Sequence, residues 1–189
     1  MKKFFMLSVF SIALFKVNAQ SDTCNKTLYF GLGAGINNYT ALLGVSGSVR
    51  VHDKLFVRAG CGVGGWGLKY SIGLKYDAHY DEGWNFGIGY SICPGVNNVK
   101  ANLQVESGVN KEVTMNYSAA STINLTVGHN WSISKSIVFY MDFGYAIPLQ
   151  STAWTVTDGS VLSKTTKSGL NLLQPGGLII GAGITFGIF

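Results

Sequence analysis

Leu28-Tyr29-Phe30-Gly31-Leu32-Gly33-Ala34-Gly35-Ile36 decides how this chain is read. Leu28, Phe30, Leu32, Ala34 and Ile36 fall on one side of an extended chain and Tyr29, Gly31, Gly33 and Gly35 on the other, a period of two without a break. The pattern recurs downstream. Leu43, Val45, Val49 and Val51 oppose Gly44, Ser46, Ser48 and Arg50, and Leu55, Val57, Ala59, Cys61 and Val63 oppose Phe56, Arg58, Gly60, Gly62 and Gly64. Alternation alone does not say which face looks inward; the composition of the second face does. A water-facing surface needs Lys, Glu and Asp, whereas this face is mostly Gly, Ser, Asn and Thr.

The whole chain agrees. Charged residues are 12%, about half the ~25% of soluble domains. Glycine is enriched, at 25 of 189 residues. After residue 19 no apolar run approaches the ~18 residues of a membrane helix, so a closed barrel is the remaining way to cross a bilayer. The expected fold is therefore all-β: an eight-stranded antiparallel up-and-down transmembrane β-barrel. Its strands are expected near residues 27–36, 43–51, 55–76, 84–92, 99–106, 113–130, 137–146 and 178–189. The third is read as one long strand bulged at Gly64-Gly65-Trp66-Gly67. A hairpin at those glycines is the alternative, and it would reverse every later strand.

Three repeats of strand, short turn, strand place tight turns at residues 52–54, 93–98 and 131–136, which suit a periplasmic end. Residues 76–83, 107–111 and 148–176 then lie at the outer end, with the tight first loop Asn37-Asn38-Tyr39-Thr40. Within the last of these, Trp154 to Thr157 and Ser160 to Leu162 flank Asp158-Gly159 as a further hairpin. Loops on a firm scaffold usually carry function. Trp154, Asp158, Lys164 and Lys167 are therefore the candidate contacts for an extracellular ligand or partner.

The N-terminus has the three parts of a secretory signal: Lys2 and Lys3, an apolar run over residues 4–15, and small residues ending at Val17-Asn18-Ala19. Residues 1–19 are expected to be removed before Gln20, leaving residues 20–189 as one barrel domain. Losing Lys2, Lys3 and Lys16 lowers the formal charge of +5 by three, to +2. No basic cluster of the kind that binds nucleic acid survives.

Arg50, Arg58, Lys100, Glu106 and Asp142 are expected in the lumen, joined by Lys69 and Lys75 if the strand-three bulge holds. Buried charges are costly unless paired, so an internal salt-bridge network filling a narrow barrel is expected. Trp66, Trp84, Tyr90, Trp131, Phe143 and Tyr145 are candidates for interfacial girdles.

On these features the chain resembles the small outer-membrane protein β-barrel domain family of Gram-negative bacteria, similar in architecture to the OmpA and OmpX barrels. The residues that carry the resemblance are the signal segment, the glycine-rich run from Tyr29 to Gly35, the three turn repeats and the closing Ile184-Thr185-Phe186-Gly187-Ile188-Phe189. The resemblance implies residence among outer-membrane lipid. An aromatic last residue resembles the signal read by the outer-membrane insertion machinery. Phe189 is nevertheless out of phase with Leu178, Ile180, Ala182, Ile184, Phe186 and Ile188.

No residue pattern calls for a cofactor. The leading reading is a non-enzymatic structural or ligand-binding barrel, with a lipid-modifying enzyme, a narrow pore and a soluble lipocalin-like carrier as alternatives. His129 and Ser132 are the pair an enzyme would use, but three residues apart on a strand they point to opposite faces. Asp77, His79, Asp81 and Glu82 match no metal-binding spacing, and His52 reads as a solvated turn residue. Cys61 should face lipid as a free thiol. Cys24 and Cys93 are placed at one end of the barrel, where a disulfide is conceivable in an oxidising compartment.

Overall fold

A computed structural model of the chain describes residues 26–79 and 82–188. Eight strands close a barrel: β1 (Leu28–Ile36), β2 (Leu43–His52), β3 (Leu55–Gly64), β4 (Gly67–Asp77), β5 (Gly83–Cys93), β8 (Ala120–Ser134), β9 (Ile137–Pro148) and β11 (Gly177–Gly187). Around the wall the order is β1-β11-β9-β8-β5-β4-β3-β2, every neighbour antiparallel. Three further strands, β6 (Val96–Gln104), β7 (Asn110–Tyr117) and β10 (Trp154–Val156), form a separate sheet in the order β10-β7-β6. A helix, α1 (Lys164–Leu173), lies in the same loop as β10.

The apolar face points outward. Leu32, Ile72, Phe86 and Leu178 are 52%, 56%, 53% and 60% exposed, while Ser46, Arg50, Asn85, Asn124 and Asp142 are buried inside. Most wall strands have 9 to 12 residues, near the ~9–11 that span a bilayer at a tilt. Aromatic rings collect at both rims. Trp84, His129, Trp131 and Phe139 touch in sequence, with centroids 5.3, 4.4 and 5.5 Å apart, and Tyr70, Tyr90 and Tyr145 stand nearer the other rim. A continuous apolar belt far larger than soluble monomers expose, bounded by rings and with every strand edge paired, is the surface of a membrane-spanning barrel.

The long third strand is instead the hairpin β3–β4, with Gly64 opposite Gly67 and Gly67 at a φ of +86°. Periodicity could not separate the two readings. A bulge shifts the facing parity by one, and so does a two-residue turn that pairs Val63 with Leu68. Lys69 and Lys75 therefore face the lumen although no bulge exists.

The hairpin adds a barrel strand and β6 subtracts one. The segment expected as strand five leaves the wall, and the expected sixth strand divides into β7, outside the barrel, and β8, inside it. The count of eight survives with different members. The ends change accordingly. Residues 53–54, 78–79 and 135–136 lie at the end holding Leu28 and Gly187, as does residue 82, whereas residues 37–42, 65–66, 94–119 and 149–176 lie at the opposite end. The segments 93–98 and 76–83 have thus exchanged ends relative to expectation.

The two long loops fold together. Val113, Met115, Leu162 and Leu170 form a buried core, with Val99, Leu103, Val105 and Val156 packed against it. Ser163 starts α1, its Oγ accepting from the Thr166 backbone N–H at 3.2 Å, which satisfies one of the orphan donors of the first turn. Trp66, expected in a girdle, is buried instead and stacks on Tyr117 at 4.2 Å, tying the β3–β4 turn to this outer sheet. No separate hairpin forms around Asp158-Gly159, because β10 pairs with β7.

Candidate functional site

The lumen and the loop-bearing end are the two places where chemistry could occur. In the lumen, Arg58 on β3 and Asp142 on β9 meet across the barrel at 2.8 Å with side chains 8% and 1% exposed. Lys75 and Asp77 pair at 3.1 Å, and the Arg50 Nη2 donates to the Tyr29 hydroxyl at 3.3 Å. A polar ladder fills the upper half: Ser71 and Ser91 hydroxyls 2.8 Å apart, Asn124 Nδ2 donating to Ser91 Oγ at 2.5 Å, and Thr122 Oγ1 donating to Asn124 Oδ1 at 2.8 Å. The cavity in the lower lumen has a volume of only about 30 Å³, close to one water's share of liquid volume.

The first loop completes the filling. Asn38, Tyr39 and Thr40 fold inward and are at most 2% exposed. The segment is bracketed by the left-handed residues Asn37 (φ 53°) and Ala41 (φ 57°). Asn37 holds it down, its Nδ2 donating to Gly176 O at 2.6 Å and Leu178 O at 3.1 Å. The Tyr39 ring lies over the Arg58 guanidinium at 3.8 Å. Room for it exists because Gly73 and Gly89 lack side chains: a Cβ on either would collide with the Tyr39 hydroxyl.

Of the expected lumen charges, Arg50, Arg58 and Asp142 are inside. Lys100 and Glu106 are not. Lys100 is on β6 and pairs at 3.2 Å with Glu112, both about two-thirds exposed, a contact of the kind worth little. Glu106 is at the exposed tip of the β6–β7 hairpin. Their strand alternates like a wall strand because its apolar side packs under α1 rather than against lipid.

Of the four expected contact residues Trp154 is on β10, Lys164 and Lys167 are on α1, and Asp158 lies between the two elements. Trp154 is half-buried, its Nε1 donating to Asn171 Oδ1 at 3.0 Å, so it supports the fold more than it offers a surface. Asp158 is a turn residue. The Ser160 and Thr114 backbone N–H groups donate to its carboxylate at 3.0 and 3.2 Å, which holds its pKa below the usual carboxylate range. Lys164 and Lys167 stand exposed on the first turns of α1. Away from the helix, the sheet offers a polar face on which Lys100, Asn102, Glu112 and Thr114 lie in facing register.

His129 is on the lipid-facing side between Trp84 and Trp131, and the Ser132 hydroxyl donates to Ser134 O at 3.1 Å, so the two do not converge. Asp77 turns into the lumen beside Lys75, His79 is in the following turn and Asp81 lies outside the described residues. Cys61 is exposed on the lipid face and Cys93 is buried, both as free thiols. Cys93 ends β5 at the rim opposite Leu28; Cys24 and Phe189, and with Cys24 the disulfide expected with Cys93, lie outside the described residues.

No protein-family model matches the chain, and no curated protein matches it. Among solved structures it is similar to the N-terminal β-barrel domain of Pseudomonas aeruginosa OprF, at 11% identity and a TM-score of 0.46 over 84% of this chain and 95% of that one. It is similar also to Acinetobacter baumannii CarO2, at 12% identity and a TM-score of 0.44 over 84% and 97%. The NanC porin gives 12% identity and a TM-score of 0.26 over 85% and 100%.

Proposed function

We propose that this chain is an exported, non-enzymatic barrel of the outer membrane that displays a small folded platform, built from β6, β7, β10 and α1, to the cell exterior. One observation carries the reading. The two longest loops share a core at the end opposite Leu28 and Gly187, and long loops face outward in such barrels while short turns face the periplasm. The lumen, crossed by Arg58–Asp142 and capped by Tyr39, favours this over a pore. The separation of His129 from Ser132 speaks against lipid-modifying catalysis there.

The partners that follow are outer-membrane lipid around the belt, the insertion machinery during assembly, and a ligand or protein on the platform near Lys164 and Lys167. Export would use residues 1–19 as a cleaved signal. Cysteine labelling tests the orientation. In a variant with Cys24→Ser, Cys61→Ala and Cys93→Ala, Lys167→Cys should react with an impermeant maleimide on intact Gram-negative cells, and Lys135→Cys only after the outer membrane is opened. The reverse pattern would refute the proposed display.

A further inference from the structure

The loop-bearing rim holds a cavity of about 230 Å³ between the first loop, the β3–β4 turn and the segment after α1. Its walls are mainly apolar, including Ile36, Leu42 and Leu173. Leu42 and Leu173 are exposed, so the cavity opens outward.

Two buried donors line it. Lys69 is 5% exposed, and among the described residues one of the three donors of its ammonium is used, to Asn37 O at 2.7 Å. Trp66 is 3% exposed, and its buried indole Nε1 has no hydrogen-bond partner among the described residues. None of the lining residues is acidic. Buried donors are nearly always satisfied, and a buried cation calls for an anion. An ammonium and an indole N–H from two residues lining one mainly apolar cavity match a single negative charge carried by a compact hydrophobic molecule. A phosphate dianion would need more positive charge than one lysine supplies. The volume, roughly eight water volumes at about 30 Å³ each, sets the size.

We propose that this cavity binds a small monocarboxylate with a short apolar body. The carboxylate accepts from Lys69 and Trp66, and the apolar part rests on Ile36, Leu42 and Leu173. The site goes beyond the platform reading and does not depend on which way the barrel faces in a cell.

Calorimetric titration of the full mature chain in zwitterionic nanodiscs tests it, with phenylacetate as probe, 2-phenylethanol as its neutral counterpart and empty nanodiscs to subtract partitioning. Heat-shifted gel mobility establishes beforehand that each variant is folded. Phenylacetate should bind saturably and roughly tenfold or more tightly than 2-phenylethanol, the margin expected of a charge-assisted hydrogen bond. Lys69→Met should remove that preference. Trp66→Phe, which keeps an aromatic ring against Tyr117, should weaken phenylacetate alone, and it serves as the test if Lys69→Met does not fold. No saturable binding, equal affinity for the two probes, or unchanged preference in the folded variants would overturn the proposal.

Discussion

Asp142→Ala should destabilise the barrel by about 3–5 kcal/mol, the usual cost of removing one partner of a buried ion pair. The carboxylate is 1% exposed and lies 2.8 Å from Arg58, whose guanidinium is also packed under the Tyr39 ring. Removal leaves the buried Arg58 guanidinium without the carboxylate that it contacts at 2.8 Å. Urea unfolding in nanodiscs, followed by tryptophan fluorescence, measures the change. The double variant Arg58→Met, Asp142→Leu separates the causes: it should recover most of the loss, because the pair's value lies in avoiding an orphan charge rather than in its net attraction. A loss below about 1 kcal/mol in Asp142→Ala would mean that the lumen there is open to water.

Tyr39→Ala should cost a comparable amount, about 3–5 kcal/mol by analogy with large aromatic truncations in protein cores. The residue is in a loop, yet it is 2% exposed and seated among lumen glycines. A loop tip resting on the surface would tolerate the change within about 0.5 kcal/mol. Tyr39→Phe keeps the ring over Arg58 and should stay within about 1 kcal/mol of the parent. The contrast between the two substitutions therefore reports burial of the ring, and equal small effects in both would show that the loop does not plug the barrel.

These two sites illustrate what the sequence makes legible. Arg58 and Asp142 could be assigned to the lumen because each sits in the inward phase of a clear alternation, and their meeting required only that the barrel be narrow. The Tyr39 plug was not read, although its trace is present. Gly33, Gly60, Gly62, Gly73, Gly89 and Gly181 all approach residues 38–40 or their side-chain atoms. An inward face with so little side-chain volume cannot fill an eight-stranded barrel, so something else must. The inward glycines are room for the first loop.

The β6–β7 excursion was hidden for a different reason. Val99 and Leu103 alternate with Lys100 and Asn102 just as wall residues do, because a sheet covered by one helix and a sheet covered by lipid impose the same period. Only the partner differs, and α1 is about sixty residues away along the chain. The rim cavity was beyond reach for the same cause. Trp66, Lys69 and Leu173 meet only once the β3–β4 hairpin and the last loop are in place.

Heat-modifiable gel mobility of the outer-membrane fraction tests the membrane-spanning closed barrel most directly. The mature chain should appear in that fraction, migrate as a compact species without boiling and shift to about its unfolded position after boiling, as expected when paired strands without free edges resist detergent. Recovery as a soluble periplasmic protein with no heat shift would contradict it.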